Sequence, residues 1–140
     1  MTTKAEQIMA AVFTKLNTPT AVVVGATYRS RMRAIEQSKP RAVNLRRRAD
    51  TRGEASNIGR HFRQLAISVE VYAKGALPDS GADSTMETIV TRLMADRTLG
   101  GLCDDIKIGD VVPDWVDNES DMVVMDMEFL IDYESLDSVL

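Results

Sequence analysis

The chain has 140 residues, of which 44% are hydrophobic and 27% are charged, which fits one soluble globular domain and excludes a wholly disordered chain. A single cysteine excludes an intrachain disulfide, and a single histidine excludes a site that needs two imidazoles from one chain. No apolar run approaches the roughly 18 residues of a membrane span, and the N-terminus lacks the pattern of a signal peptide. We therefore expect a protein that is made in the cytoplasm and has no membrane contact.

Charge is divided very unevenly along the chain. Residues 1–65 hold 13 Lys and Arg against 4 Asp and Glu, a net charge of +9. Residues 66–140 hold 4 against 17, a net charge of −13. Such a division is typical of a nucleic-acid-binding arm on an acidic body, or of a protein with two electrostatically complementary faces. A third interpretation is that the two halves interleave and neutralise each other within one domain.

The first half of the chain predicts a helix, a strand and a long basic segment. Apolar side chains at helical spacing predict an amphipathic helix from Lys4 to Leu16, which begins at a capping box of Thr3 and Glu6. The β-branched run at residues 20–28 predicts a strand. Residues 29–64 are rich in arginine and are interrupted by proline and glycine, so we expect an irregular segment.

Two parts of that basic segment have predictions of their own. Residues 42–45 are a candidate strand because they are apolar and partly β-branched. Residues 46–60 are predicted to form an exposed loop or an extended hairpin arm, because the run from Thr51 to Gly59 is typical of a loop. Long loops are uncommon in small domains and are usually functional or mobile.

The second half alternates between strand-like and helix-like patterns. The predicted elements are a strand at 64–74, a turn region at 75–82, a helix from Ser84 to Arg97 that Gly100-Gly101 ends, a strand at 105–111, a turn at 113–115, a strand from Met122 to Tyr133 and a C-terminal tail at 134–140. This order predicts one α+β domain over residues 1–140. It has a mixed or antiparallel sheet, two helices packed on one face and an extended Arg-rich loop or hairpin arm.

The sequence carries no motif of a known catalytic or cofactor site. It has no phosphate-binding glycine loop, dinucleotide fingerprint, nucleophile elbow or zinc-protease helix. His61 lies among cations, and Cys103 precedes two aspartates that raise a thiol pKa. The carboxylates between Asp104 and Asp121 lack the spacing of a calcium loop. We expect no enzymatic activity, no metal and no cofactor.

Two charge clusters form the candidate interface with another subunit or partner. Arginine is well suited to interface ion pairs and to phosphate, whereas aromatic side chains for base stacking are sparse near the basic cluster. The candidate interface residues are Arg29, Arg31, Arg33, Arg46, Arg47, Arg48, Arg52, Asp104, Asp105, Asp110, Asp114 and Asp117.

The C-terminal half has a pattern that points to a family. A helix ends in an Asp-x-Thr-Leu-Gly-Gly segment at residues 96–101, after the alternating strand from Leu65 to Tyr72 and before a strand that ends in Phe-Leu-Ile-Asp-Tyr at 129–133. In element order over residues 1–135, this resembles the tail terminator (tail-completion, minor tail protein U-like) proteins of tailed bacteriophages. The specific part of the resemblance is concentrated in residues 65–133.

The resemblance implies a structural virion protein at the head-proximal end of the tail. Its family forms a homo-oligomeric, six-membered ring that stops polymerisation of the tail tube and offers a surface for head–tail joining. Implied partners are copies of itself, the tail tube protein, a head-completion or connector protein, and genomic DNA that passes the lumen without sequence-specific contact. The family carries no catalytic residues. Two alternatives stay open: a nucleic-acid-binding accessory protein that uses the Arg-rich segment, and another head–tail connector or completion protein.

Overall fold

The computed structural model describes residues 3–18, 20–23, 27–30, 41–55, 60–74, 78–115 and 122–136. These residues form the predicted α+β fold. The elements in chain order are α1 (Lys4–Asn17), β1 (Thr27–Arg29), β2 (Arg41–Ala55), β3 (Arg60–Lys74), α2 (Pro78–Met94), β4 (Asp105–Trp115) and β5 (Met122–Leu136).

One mixed sheet holds all five described strands, in the order β1-β2-β3-β5-β4. β1 pairs with β2 in parallel, and the other three pairings are antiparallel. The long strands β2, β3 and β5 form the centre of the sheet, while the short β1 and the strand β4 lie at its two edges. The sequence order of the strands therefore differs from their spatial order only where β5 is inserted between β3 and β4.

Both helices pack on one face of this sheet, as predicted. Alternate residues of the central strands are fully buried beneath them, among them Leu45, Val69 and Phe129. α1 contributes the predicted apolar stripe, with Ile8 and Val12 fully buried. One apolar core thus lies between the sheet and the helices, and the opposite face of the sheet, called here the outer face, carries the polar members of each strand.

The basic segment is far more regular than predicted. Residues 46–55 are not a loop but belong to the 15-residue strand β2, which pairs with β3 from Arg41↔Ala73 to Ala55↔His61. The extended hairpin arm is therefore the correct one of the two predicted alternatives, and residues 56–59 lie outside the described residues. The sequence analysis missed this strand because arginine-rich segments are not typical of strands. Strand formation depends on packing against neighbouring strands, which the local sequence does not show.

The helix α2 begins six residues before its predicted start. Residues 78–82, predicted as a turn region, are helical, and Ser84 lies inside the helix with its carbonyl accepting a hydrogen bond from Thr88 Oγ1 at 3.0 Å. Proline is well tolerated in the first turn of a helix, where its missing N–H has no partner to lose. Burial of Ala82 and Thr85 stabilises this extra turn, and Gly81 does not prevent it.

The first strand is shorter than predicted and shifted. Only Thr27–Arg29 is paired, whereas the described residues 20–23 are not in a strand. Thr27 Oγ1 donates to the carbonyl of Val23 at 2.8 Å and accepts from its N–H at 3.2 Å, which holds Val23 beside β1. Residues 24–26 lie outside the described residues. Val23 packs against the core. The apolar pattern at residues 20–23 therefore indicated contact with the core correctly, but these residues do not pair in the sheet.

The last two strands are longer than predicted. Residues 113–115 are not a turn, because Pro113 pairs with Met125 and Trp115 with Val123. Proline is accepted there because β4 is an edge strand, where a missing N–H breaks no ladder. β5 continues to Leu136, so residues 134–136 of the predicted tail are strand, and residues 137–140 lie outside the described residues.

Candidate subunit interface

The three consecutive arginines of β2 lie on both faces of the sheet, beside a β-bulge. Arg47 pairs with Ile67 and Ala49 with Ala66, so Arg48 is an extra residue in β2. Arg46 and Arg48 lie on the outer face, as alternation predicts. The bulge reverses the faces of the residues that follow, so Ala49 lies on the outer face and Asp50 on the helix side. Arg47 points to the helix side.

On the outer face, these arginines meet carboxylates of the acidic half of the chain. Arg46 Nη1 lies 3.5 Å from Glu70 Oε2. Arg48 Nη1 lies 3.7 Å from Asp126 Oδ2 and 3.8 Å from Glu128 Oε2. The interleaving of basic and acidic strands in one sheet therefore neutralises part of the charge asymmetry within the chain, as the third sequence interpretation proposed.

On the helix side, Glu6 of α1 joins two further candidate arginines. Arg29 Nη2 donates to Glu6 Oε1 at 2.6 Å, and Arg47 Nη2 lies 3.4 Å from the same oxygen. The hydrogen bond from Arg29, together with the charges of Arg29 and Arg47, lowers the pKa of the Glu6 carboxyl. This cluster connects the start of α1 to the β1–β2 edge of the sheet.

The contacts of Arg46, Arg47 and Arg48 are long and solvent-exposed. Their side chains are 48%, 41% and 48% exposed. Exposed ion pairs of this kind contribute little to folding, because water screens them and long side chains lose rotamer freedom. The three guanidinium groups can therefore be shared with a partner at small cost.

The acidic candidates divide into paired and unpaired groups. Asp105 accepts two hydrogen bonds from Arg97, at 2.7 and 2.9 Å, which lower the pKa of its carboxyl. Asp104 lies next to β4 and is mostly exposed; partial loss of water around its carboxyl, followed by the charges of Glu134 and Asp132, raises its pKa. Asp110 and Asp114 are exposed on β4, and no ion pair joins either of them to another described residue.

Four candidate interface residues lie wholly or partly outside the described residues. Arg52 lies in β2, where its backbone pairs with Arg63, and its side chain is outside what is described. Arg31, Arg33 and Asp117 lie outside the described residues. Within the chain, the described candidate arginines pair with carboxylates other than the candidate aspartates, and contact between the two candidate clusters of neighbouring subunits stays a prediction.

A partly buried triad was missed by the sequence analysis. Asp50 Oδ1 accepts from Arg63 Nε at 3.1 Å, and Asp50 Oδ2 accepts from the hydroxyl of the fully buried Tyr133 at 2.7 Å. Asp50 reaches them because the bulge at Arg48 turns it to the helix side of the sheet, opposite Leu65. No local sequence signal marks this group, since its members are 13 and 83 residues apart.

The triad borders a cavity of about 480 Å³ near one end of the sheet. Polar side chains in its lining bond to other residues of the protein: Gln64 Nε2 donates to Asp132 at 3.1 Å, and Lys107 forms an ion pair with Asp132 at 2.8 Å. The cavity is lined by Thr51, Phe62, Arg63, Gln64, Asp104, Asp132 and Tyr133.

The Asp-x-Thr-Leu-Gly-Gly segment forms a turn that joins α2 to β4. Leu99, Gly100 and Gly101 all have positive φ, at 51°, 70° and 95°. The N–H of Leu99 donates to the carbonyl of Asp96, and those of Gly101 and Cys103 to the carbonyl of Thr98, at 3.0–3.1 Å. Leu99 is 5% exposed and anchors the turn in the core. The residues that carry the family resemblance therefore have a structural role here.

We expect Gly101→Ala to destabilise the domain by about 1–2 kcal/mol, because a side chain at this φ is strained. A Cβ at either glycine would have nothing within 4 Å, so the cost comes from the backbone alone. Gly100→Ala is the matched control and should cost less, since its φ lies closer to the left-handed helical well. Urea denaturation of both variants measures the difference, and equal stability of Gly101→Ala and the parent would contradict it.

Cys103 is a buried free thiol that donates to the carbonyl of Arg97 at 3.4 Å. Burial, and then the charges of Asp104 and Asp105, raise its pKa to about 11. The higher pKa lowers the thiolate fraction near pH 8 by roughly 100-fold, because one unit is a tenfold change. We expect native protein to react with iodoacetamide at least that much more slowly than urea-unfolded protein. Equal rates would contradict the buried thiol.

Other candidate chemistry finds little support in the described part of the chain. No group of three His, Cys, Asp or Glu side chains there is arranged to hold a metal ion. His61 pairs with Ala55 and Ser135 through the β3 backbone, and its side chain is outside what is described. No helix among the described residues is long and apolar enough to cross a membrane.

Comparisons with known proteins give a likeness to solved structures. No protein-family model matches the chain, and no curated protein matches it. Among solved structures, the chain is similar to a chain in the virion of a native gene transfer agent (GTA) particle. The match has a TM-score of 0.58 at 14% identity and covers 91% of this chain and 95% of the other. At this identity the two chains share a fold.

Proposed function

We propose that this protein is a structural component of a phage-like virion and acts as its tail terminator. In this role, copies of the chain form a closed ring, with six subunits, on the head-proximal end of the tail tube. The ring ends tube polymerisation and provides the surface to which head-completion proteins bind. Its role is structural and not enzymatic, and DNA passes through the lumen without sequence-specific contact.

The fold shared with a chain of a gene transfer agent virion carries this proposal. The likeness covers nearly all of both chains, so it concerns the whole domain and not a common substructure. It agrees with the resemblance to tail terminators, which rests on different observations, namely the turn at residues 96–101 and the strands on either side of it. The opposite charges of the two halves suit a ring, because neighbouring subunits in a ring meet through two different surfaces.

The nucleic-acid alternative has less support from the described arginines. Arg29, Arg46, Arg47 and Arg48 all lie within 3.8 Å of a carboxylate oxygen. Alternating basic and acidic side chains give a mixed potential, whereas a phosphate backbone is bound by a continuous basic surface. An outer face of this kind suits contact with another protein of mixed charge.

Removal of the gene from the virion-producing genome tests the proposed role. We expect electron microscopy to show tail tubes of uncontrolled length and heads without joined tails. Wild-type protein supplied from a second gene copy should restore tails of one length. Purified protein should form a ring, measured by light scattering after size-exclusion chromatography and by native mass spectrometry, either alone or with tail tubes.

Two results would contradict the proposal. One is normal tail length and normal head joining in particles made without the gene. The other is tight binding of purified protein to duplex DNA with a steep salt dependence, together with normal tails, which would favour the nucleic-acid alternative.

A further inference from the structure

The sheet has two edges that no described strand covers, and they carry opposite charge. β1 covers only Val43–Leu45 of β2, so the remaining part of β2, from Arg46 onward, has no described strand on that side. β4 is the outermost strand at the other side of the sheet. An uncovered strand edge presents N–H and C=O groups that can pair with another chain.

The two uncovered edges span the same levels of the sheet. Across the pairings, Arg46 is level with Ser68 of β3 and Glu128 of β5, beside the bulge at Gly109–Asp110 of β4. At the other limit, Thr51 is level with Asp105 through Gln64 and Asp132. Residues 46–51 of β2 and 105–110 of β4 are therefore segments of equal length at equal height.

Strand directions also fit. β3 is antiparallel to β2, β5 to β3 and β4 to β5, so β2 and β4 run in opposite directions. If a second copy continues the sheet with the same face outward, its β4 runs antiparallel beside β2. Asp110 then lies opposite Arg46, and Lys107 lies opposite Ala49 on the outer face. Beyond the β-bulge that follows Ile108, β4 of the second copy bends away from β2. This avoids β1, which already pairs with Val43–Leu45 of β2.

Side chains of the two segments are suited to this contact. Arg46, Arg47 and Arg48 are exposed and held only by long ion pairs, whereas Asp110 is an exposed carboxylate with no described ion pair. Ile108 is 49% exposed, although its partner in β5, Phe129, is fully buried. A Cβ at Gly109 would lie 2.6 Å from Glu128 Oε1, so a larger residue there would displace the Glu128 side chain.

We propose that the β4 edge of one copy, residues 105–110, pairs antiparallel with the β2 edge of the next copy, residues 46–51, so that the sheet continues from subunit to subunit. The inference rests on the proposed ring and names the two surfaces that build it. Each copy uses a different edge for each neighbour, which is the heterologous contact that closes into a ring. Charge selects the pairing, since two β2 edges or two β4 edges would bring like charges together.

Complementation between two charge-reversed variants tests this contact. Arg46→Glu/Arg48→Glu places carboxylates on the β2 edge, and Asp110→Lys places a cation on the β4 edge. Each variant alone opposes like charges at every contact, so we expect its assembly to weaken by about tenfold or more. A 1:1 mixture restores opposite charges at every contact of an alternating ring, so assembly should recover. Asp83→Lys/Glu87→Lys, on the exposed face of α2, is the matched control and should assemble normally.

Disulfide trapping tests the same contact without a change of charge on the arginines. In a Cys103→Ala background, Ala49→Cys and Lys107→Cys single variants are mixed and oxidised under assembly conditions. We expect a mixed dimer of the two variants and little of either homodimer, and the double variant should form a ladder up to the ring. Asp83→Cys in place of Lys107→Cys is the control and should not cross-link with Ala49→Cys.

The outcomes separate the two proposals. A ring that forms normally in both charge-reversed variants, with no Ala49–Lys107 cross-link, overturns the pairing of edges and leaves the ring intact. Homodimers of Lys107→Cys alone would overturn it in favour of a two-fold contact through β4. A parent protein that stays monomeric, both alone and with tail tubes, overturns the ring and the inference with it.

Discussion

Phe129→Asp is expected to unfold the domain. Phe129 lies at the centre of β5, between Ile67 and Ile108, and is fully buried. The substitution removes a large apolar side chain, which costs about 3–5 kcal/mol, and adds an unpaired buried charge that costs several more. The sum equals or exceeds the stability of a typical domain. Circular dichroism and a thermal scan would show no cooperative transition.

The neighbouring residue is the control for this result. Leu130 lies on the outer face, where it is only partly buried, and pairs with Ala66 and Lys107. We expect Leu130→Asp to keep a cooperative transition, because its charge can reach water. Val69→Asp, also in the core, should behave as Phe129→Asp does. An unchanged melting temperature for Phe129→Asp would contradict the assignment of the buried face.

Asp50→Ala is expected to destabilise the domain by about 2–4 kcal/mol, since it leaves a mostly buried guanidinium and a buried hydroxyl without their acceptor. The side chains of Asp50 and Arg63 are 20% and 14% exposed. Tyr133→Phe removes only the hydroxyl and should cost about 1 kcal/mol. Urea denaturation measures both variants. A loss below about 0.5 kcal/mol for Asp50→Ala would mean that the triad does not stabilise the fold.

The same triad predicts an alkaline transition. Burial, followed by the hydrogen bond to Asp50 and its charge, raises the pKa of Tyr133 to about 12. A phenol whose pKa is higher in the folded state stabilises that state below its ordinary pKa, near 10, and this stabilisation is lost as the pH rises from about 10 to 12. Asp50→Asn should lower the pKa of Tyr133, measured by phenolate absorbance, because burial then acts without the carboxylate. The Tyr133→Phe variant identifies the signal.

The sequence by itself determined the fold class and much of the core. Apolar periodicity in α1, β3 and β5 identified the buried faces, because these elements each pack one face on a single core. Charge asymmetry and the absence of catalytic motifs directed attention to assembly surfaces and away from active-site chemistry. The turn at residues 96–101 was recognisable since only glycine tolerates its backbone at Gly100 and Gly101 without strain.

The tertiary structure decided how those charges are used. The β2 strand could not be predicted from its own arginine-rich residues, because its stability comes from pairing with β3, whose residues follow it in sequence. Alternation alone separates Arg46 and Arg48 from Arg47, but the bulge at Arg48, which strict alternation does not predict, turns Asp50 toward the helices. Strand order then places a basic edge and an acidic edge at opposite sides of the sheet. Each edge is one continuous segment of the chain, but only the strand order shows that both segments lie at the outside of the sheet, where a second copy can reach them.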